Sequence, residues 1–160
     1  MRNKKSIVVF LILICLLTFS LSVLAENDET NNQVRNFILK VYGDYQENEF
    51  AKVYEGMHPD IKEVLDKDKY LQFQEENTEK YDLKISEVEV LEIKKIESWP
   101  EEFKQIIKEK EKETLFEIAL KYKTTYQSGG NENEKVIDKK TYVTVNDEDI
   151  FLLWDPNIIK

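Results

Sequence analysis

The chain has 160 residues, in which 32 Asp and Glu oppose 23 Lys and Arg for a formal net charge of −9, with one histidine, one cysteine and four glycines. So acidic a surface is repelled by phosphate backbones and anionic headgroups, which excludes nucleic acid as a partner. A zinc site draws on several His or Cys ligands, and a phosphate-cradling loop needs clustered glycines; neither supply exists, and no cofactor is expected.

Arg2, Lys4 and Lys5 precede an apolar run from Ile7 to Leu17, and polarity then rises through Thr18, Ser20 and Ser22 to Val23-Leu24-Ala25. This is the pattern of a signal peptide spanning 1–25, cleaved after Ala25, and it predicts a secreted, extracytoplasmic protein. The rival is an N-terminal membrane anchor left uncleaved, the one route to a membrane, but the apolar run falls short of the roughly 20 residues a spanning helix prefers. Lipidation at Cys15 is disfavoured because Ile14 precedes it and it sits mid-run. Cleavage removes three positive charges and no negative ones, which takes the charge from −9 to −12 and leaves no cysteine. Disulfides then play no part, and residues 26–160 are one domain's worth of chain for a hydrophobic core.

Residues 26–33, "ENDETNNQ", are polar throughout and are expected as a flexible lead to a domain spanning 34–160. Val34, Phe37, Ile38, Val41 and Tyr42 then form one apolar stripe on a helix that Gly43 should end. A second short helix is predicted over Glu47–Glu55, burying Phe50, Ala51, Val53 and Tyr54, until "GMHPD" breaks it. Pro59 opens a further turn carrying Ile61, Val64 and Leu65. Asp68 is placed as the N-cap of the next helix, which buries Tyr70, Leu71 and Phe73.

The second half changes period. Leu83 and Ile85 alternate, as do Val88 and Val90, but the pairs are out of phase, which predicts a β-bulge around Ser86-Glu87. "SWPEEFKQIIKEKEKE", residues 98–113, reads as a crossing helix with Pro100 at its first position and a solvated charge run at its end. "LFEIALKYKTTYQS" is a strand with Phe116, Ile118, Leu120, Tyr122, Thr124 and Tyr126 on one face. Gly129-Gly130-Asn131 turns the chain into a third strand from about Lys135 to Val145, and "NDED" leads to a last strand, Ile150 to Trp154. The whole is an α+β layout, with N-terminal helices packed on a bent four-strand antiparallel sheet.

Two stretches carry a resemblance. "NFILKVYGDYQENEFAKVYEGMHPDIKE" is similar to the helix-loop-helix opening of exported nuclear transport factor 2-like domains, whose fold is a cone. "IFLLWDPNII" resembles the end of the non-catalytic N-terminal domain of low-affinity penicillin-binding transpeptidases, where a W-x-V-x-W strand is followed by a D-P-S-x-I-F-P exit. Leu152 takes the central aliphatic place, Trp154 the second tryptophan and Asp155-Pro156 the exit, with Asn157 and Ile159 following. Ile150 replaces the first tryptophan, and the final F-P is missing. No Ser-x-x-Lys, Ser-x-Asn or Lys-Thr-Gly motif occurs, so the resemblance implies the accessory domain without its enzyme.

Chemistry is sparse. His58 sits in the interhelix turn, and "NDED" lacks the glycine and final glutamate of a calcium loop. The resemblance implies that an enzyme on this fold would place an Asp, His or Tyr on the concave wall, where the main strand offers no charge. Asp138 is the one carboxylate well inside the last two strands. The expected function is therefore a non-enzymatic accessory or binding domain at the cell envelope, partnered by an envelope protein or a small apolar ligand. The alternative is a small-ligand carrier or cone-fold enzyme with a polar group in an apolar pocket. Tyr42, Tyr54, Trp99, Tyr122, Tyr126 and Trp154 are the candidates for lining such a cavity, against the plainer reading that they are core. A homodimer through the outer sheet face is a further reading, weakened by Lys121, Lys123 and Thr125 on that face.

Overall fold

The computed structural model describes residues 29–108, 111, 113–146 and 149–159. The predicted signal peptide, its cleavage site and Cys15 lie outside these residues, as do parts of the KEKEKE run and of the NDED turn. Among the described residues no helix is long and apolar enough to cross a membrane. The chain divides into two compact units, Met1–Gln33 and Val34–Lys160. Residues 29–33, expected as a flexible polar lead, are helical; everything below concerns the second unit.

In this unit the first helix, α1, covers 34–46. Its predicted stripe is buried, with Val34 and Ile38 at 0 % exposure and Val41 and Tyr42 close behind. Gly43 does not end it. Helical glycine costs only about 1 kcal/mol, and the turn beyond it is held by the Lys40–Asp44 ion pair at 2.8 Å and by Tyr45 packing on the core. The stop is Asn48, whose φ of 58° is the left-handed conformation that asparagine tolerates.

Three helices follow: α2 (Phe50–Glu55), α3 (Pro59–Val64) and α4 (Lys67–Tyr81). The N-cap of α4 is Asp66 rather than Asp68, its carboxylate accepting from the Lys69 N–H at 2.9 Å. The end of α4 is capped by Asp82 at φ 43°, with the Leu83 N–H donating to the Thr78 carbonyl at 3.1 Å.

The four strands are β1 (Lys84–Ile96), β2 (Thr114–Ser128), β3 (Asn131–Val145) and β4 (Ile150–Leu153), antiparallel in the order β1-β2-β3-β4. The expected bulge is present: pairing slips between Ser86 and Glu89, and Glu87 takes a φ of 53°. A second slip lies between Val90 and Glu92, so β1 bends twice. β2 and β3 pair over their whole length, joined by Gly129 and Gly130 at φ 62° and 80°. That two-residue turn needs positive φ at both positions, which only glycine supplies without strain. It also explains why β3 starts at Asn131, ahead of the predicted start: the turn propagates the ladder through residues with no apolar alternation.

Phe116, Ile118, Leu120 and Tyr122 of β2 face the helices, and Val90, Val143 and Leu152 join them in one core. Among the described residues the expected short crossing helix is a single turn, α5 (Glu101–Lys104), with Pro100 at its N-cap rather than its first position. Phe103 packs edge-on against Tyr142 at 6.1 Å on the outer face of the sheet, where Leu115 and Leu153 are also buried. Elsewhere the outer face carries ion pairs, Lys140–Glu117 at 2.8 Å and Lys123–Glu134 at 2.7 Å.

Candidate functional site

Between the ends of α1 and α4 and the sheet lies a cavity of about 230 Å³. Its rings come from five places: Tyr42 and Tyr45 on α1, Phe50 on α2, Phe73 on α4, Tyr122 on β2 and Trp154 after β4. They touch in sequence. Tyr42 lies 5.4 Å from Tyr122 and 5.9 Å from Tyr45, Tyr45 lies 6.1 Å from Phe50, and Phe73 lies 6.4 Å from Trp154. Behind them Tyr70 is fully buried, edge-on to Trp154 at 5.2 Å, and its hydroxyl shares a 3.1 Å hydrogen bond with that of Tyr45. Gln46, Asn48, Gln74 and Thr78 add neutral polar groups to the wall.

Of the residues picked from sequence, Tyr42, Tyr122 and Trp154 line this cavity. Tyr54, Trp99 and Tyr126 do not. Tyr54 is spent on structure, its hydroxyl donating to the Leu65 carbonyl at 2.8 Å. Trp99 packs on the core from the connection between β1 and α5. Tyr126 lies farther along β2, opposite Asn133 in the hairpin arm.

Asp138, the carboxylate inside the last two strands, faces away from the cavity. It pairs with Lys121 across the ladder, and both belong to the outer face. Its neighbour Lys139 pairs with Leu120, which is 1 % exposed, so the lysine falls on the helix-facing side and lines the cavity. Lys139 is exposed as a residue, which puts it at the cavity's mouth, while burial of its charged end holds the ammonium's pKa below the usual lysine value. The signal was available: Val143 and Thr141 point inward, and strict alternation carries Lys139 with them.

Burial also raises the pKa of Tyr42, Tyr45 and Tyr122, and pushes Tyr70 up to about 12. In the unfolded chain these hydroxyls ionise near pH 10. Between about pH 10 and 12 the unfolded state therefore sheds protons that the folded state keeps, and stability must fall as pH rises. Lys139 acts in the opposite sense, adding stability as pH climbs through its lowered pKa, but that gain is complete near 10.5. Denaturant midpoints are thus expected to drop steeply above about pH 10.5, with tyrosinate absorbance at 295 nm appearing in step with unfolding. All eight tyrosines ionising near pH 10 in a still-folded protein would contradict the buried cluster.

His58 stands apart from the cavity. Its Nδ1 accepts from the Asp60 N–H at 3.1 Å and caps α3, which leaves Nε2–H to donate to the Glu113 carboxylate at 2.7 Å. Both side chains are nearly closed off, at 6 % and 10 % exposure. The other Glu113 oxygen has no partner among the described residues. The backbone here is tied as well: the His58 N–H donates to the Leu152 carbonyl at 3.0 Å, and the Leu152 N–H donates to the Gly56 carbonyl at 2.8 Å. His58 thus joins the helical half to the start of β2 and the edge of β4. Among the described residues no three His, Cys, Asp or Glu side chains cluster as a metal site would require. Comparison with protein-family models, with curated proteins and with solved structures returns no match, so the cavity is read from its own chemistry.

Proposed function

We propose that this chain is a non-enzymatic, exported binding domain of the nuclear transport factor 2-like superfamily, acting at the cell envelope, and that its cavity holds a small, largely apolar ligand. The cavity carries the reading: aromatic rings from α1, α2, α4, β2 and the segment after β4 converge on one opening. Pockets that bind small molecules are largely apolar with a few placed polar groups, and this one has that make-up. Helices followed by a bulged antiparallel sheet, and the closing Trp154-Asp155-Pro156, support the superfamily reading and its likeness to the spacer domain of penicillin-binding proteins. His58 is tied into structure and Asp138 faces outward, which supports binding over proton-transfer chemistry.

The neutral ring compound 1-naphthaleneacetamide is a suitable probe, because Trp154 lies in the wall and Trp99 lies elsewhere. In a Trp99→Phe background, titration should give a saturable one-site change in fluorescence. Calorimetry should show affinity falling about tenfold on Trp154→Ala, the scale of about 1.4 kcal/mol. A linear, non-saturating response would overturn the cavity reading. Export is checked separately by cell fractionation and by the N-terminus of the recovered protein; cytosolic protein starting at Met1 would overturn that half.

A further inference from the structure

We infer that the cavity selects a ligand bearing a single carboxylate on a compact ring-like or branched apolar body, with Lys139 as the counter-ion. The inference rests on the proposal that the cavity binds a small ligand. Two observations lead from "apolar" to "anionic".

The first is the sign of the wall. In a chain whose acids outnumber its bases 32 to 23, the cavity is lined by two lysines, Lys84 and Lys139, and by no acidic residue. An acidic protein that clears every carboxylate from one concavity keeps an anion from being repelled there. The second is that the two lysines differ. Lys84 is committed to Asp82 at 3.0 Å and is exposed. The Lys139 ammonium has no ion-pair or hydrogen-bond partner among the described residues. Its neighbours on the sheet are satisfied: Lys140 pairs with Glu117 and Lys123 with Glu134. At the cavity's mouth the Lys139 ammonium is partly withdrawn from water, which lowers its pKa, and no counter-ion among the described residues offsets that. A carboxylate brought in by a ligand relieves it through a charge-assisted hydrogen bond.

The size and charge of the ligand follow. A volume of about 230 Å³ is below the usual 300–1,000 Å³ of ligand pockets, which leaves room for one or two rings rather than a long chain. One uncommitted cation matches one negative charge. The faces of Tyr42, Tyr122 and Trp154 would take the apolar body, and Gln74 and Thr78 offer neutral hydrogen bonds near it.

The test compares 1-naphthaleneacetate with 1-naphthaleneacetamide, two probes of the same shape that differ in charge, by calorimetry on the full chain. The acid should bind about tenfold or more tightly than the amide. Lys139→Met should bring that ratio to about one, with thermal unfolding near the parental midpoint showing that the variant is folded. Lys139→Arg should keep the preference. Equal binding of acid and amide to the unsubstituted chain overturns the inference and leaves the cavity reading standing. So does a preference that survives Lys139→Met. Binding of neither probe overturns the cavity reading and the inference with it.

Discussion

Replacing His58 with alanine is expected to destabilise the protein by about 3–5 kcal/mol, the usual cost of removing one member of a buried ion or charge-assisted pair. Two losses coincide. The cap on α3 goes, at about 1 kcal/mol, because Nδ1 no longer accepts from the Asp60 N–H. The Glu113 carboxylate, 10 % exposed and with its other oxygen unpartnered among the described residues, loses its hydrogen bond to His58 and becomes a bare buried charge. Urea denaturation with a double-mutant cycle separates these terms. His58→Asn should retain the cap and lose the pair. Glu113→Gln should cost less than His58→Ala, since an amide oxygen still accepts from Nε2–H. His58→Ala combined with Glu113→Ala should be less destabilised than the two single effects added together. Strict additivity, or a His58→Ala cost under about 1 kcal/mol, would show that the pair is a surface-like contact.

Tyr70→Ala should be nearly as damaging, by about 3–5 kcal/mol, because it empties a large, fully buried aromatic site. Tyr70 is the backing of the cavity rather than part of its lining. Its ring supports Trp154 at 5.2 Å and Tyr54 at 5.7 Å, and its hydroxyl is the one Tyr45 meets at 3.1 Å. Tyr70→Phe keeps the ring, removes the hydroxyl's hydrogen bonds to Tyr45 and Gln74, and should cost about 1 kcal/mol. The two variants also predict different binding. Tyr70→Phe keeps the wall and should bind 1-naphthaleneacetamide within about twofold of the parent, whereas Tyr70→Ala frees Trp154 and should weaken it about tenfold or more. A Tyr70→Ala protein with parental stability would show that the ring is not packed as described.

The helices and strands were legible where a single periodicity dominated. Val34 to Tyr42 carries one helical stripe, and its residues are buried; Phe116 to Tyr122 alternates, and its apolar side faces the helices. The slip between Ile85 and Val88 gave away the bulge at Glu87. Errors came where local rules met tertiary packing. Gly43 reads as a stop, yet α1 runs through it, because packing of Tyr45 outweighs one glycine. The 98–113 stretch reads as a helix by its acidic start and its Phe103-Ile106-Ile107 spacing, yet among the described residues its α-helix is confined to Glu101–Lys104. Phe103 and Ile107 find burial without a longer helix, since docking on the sheet supplies what propensity alone does not.

Sequence alone thus determined the class of fold, because apolar spacing of about 3.6 or 2 decides which face of each element must leave water. It also placed three aromatic residues, Tyr42, Tyr122 and Trp154, on faces that converge on the cavity. Tertiary structure decided the rest. Whether Asp138 or Lys139 faces the helices depends on the register of β3 against β2, and a shift of one residue would exchange them. That His58 meets Glu113 across 55 positions depends on how the α2–α3 turn lies against the sheet. Such partners are set by long-range packing, to which a local pattern of hydrophobicity is blind.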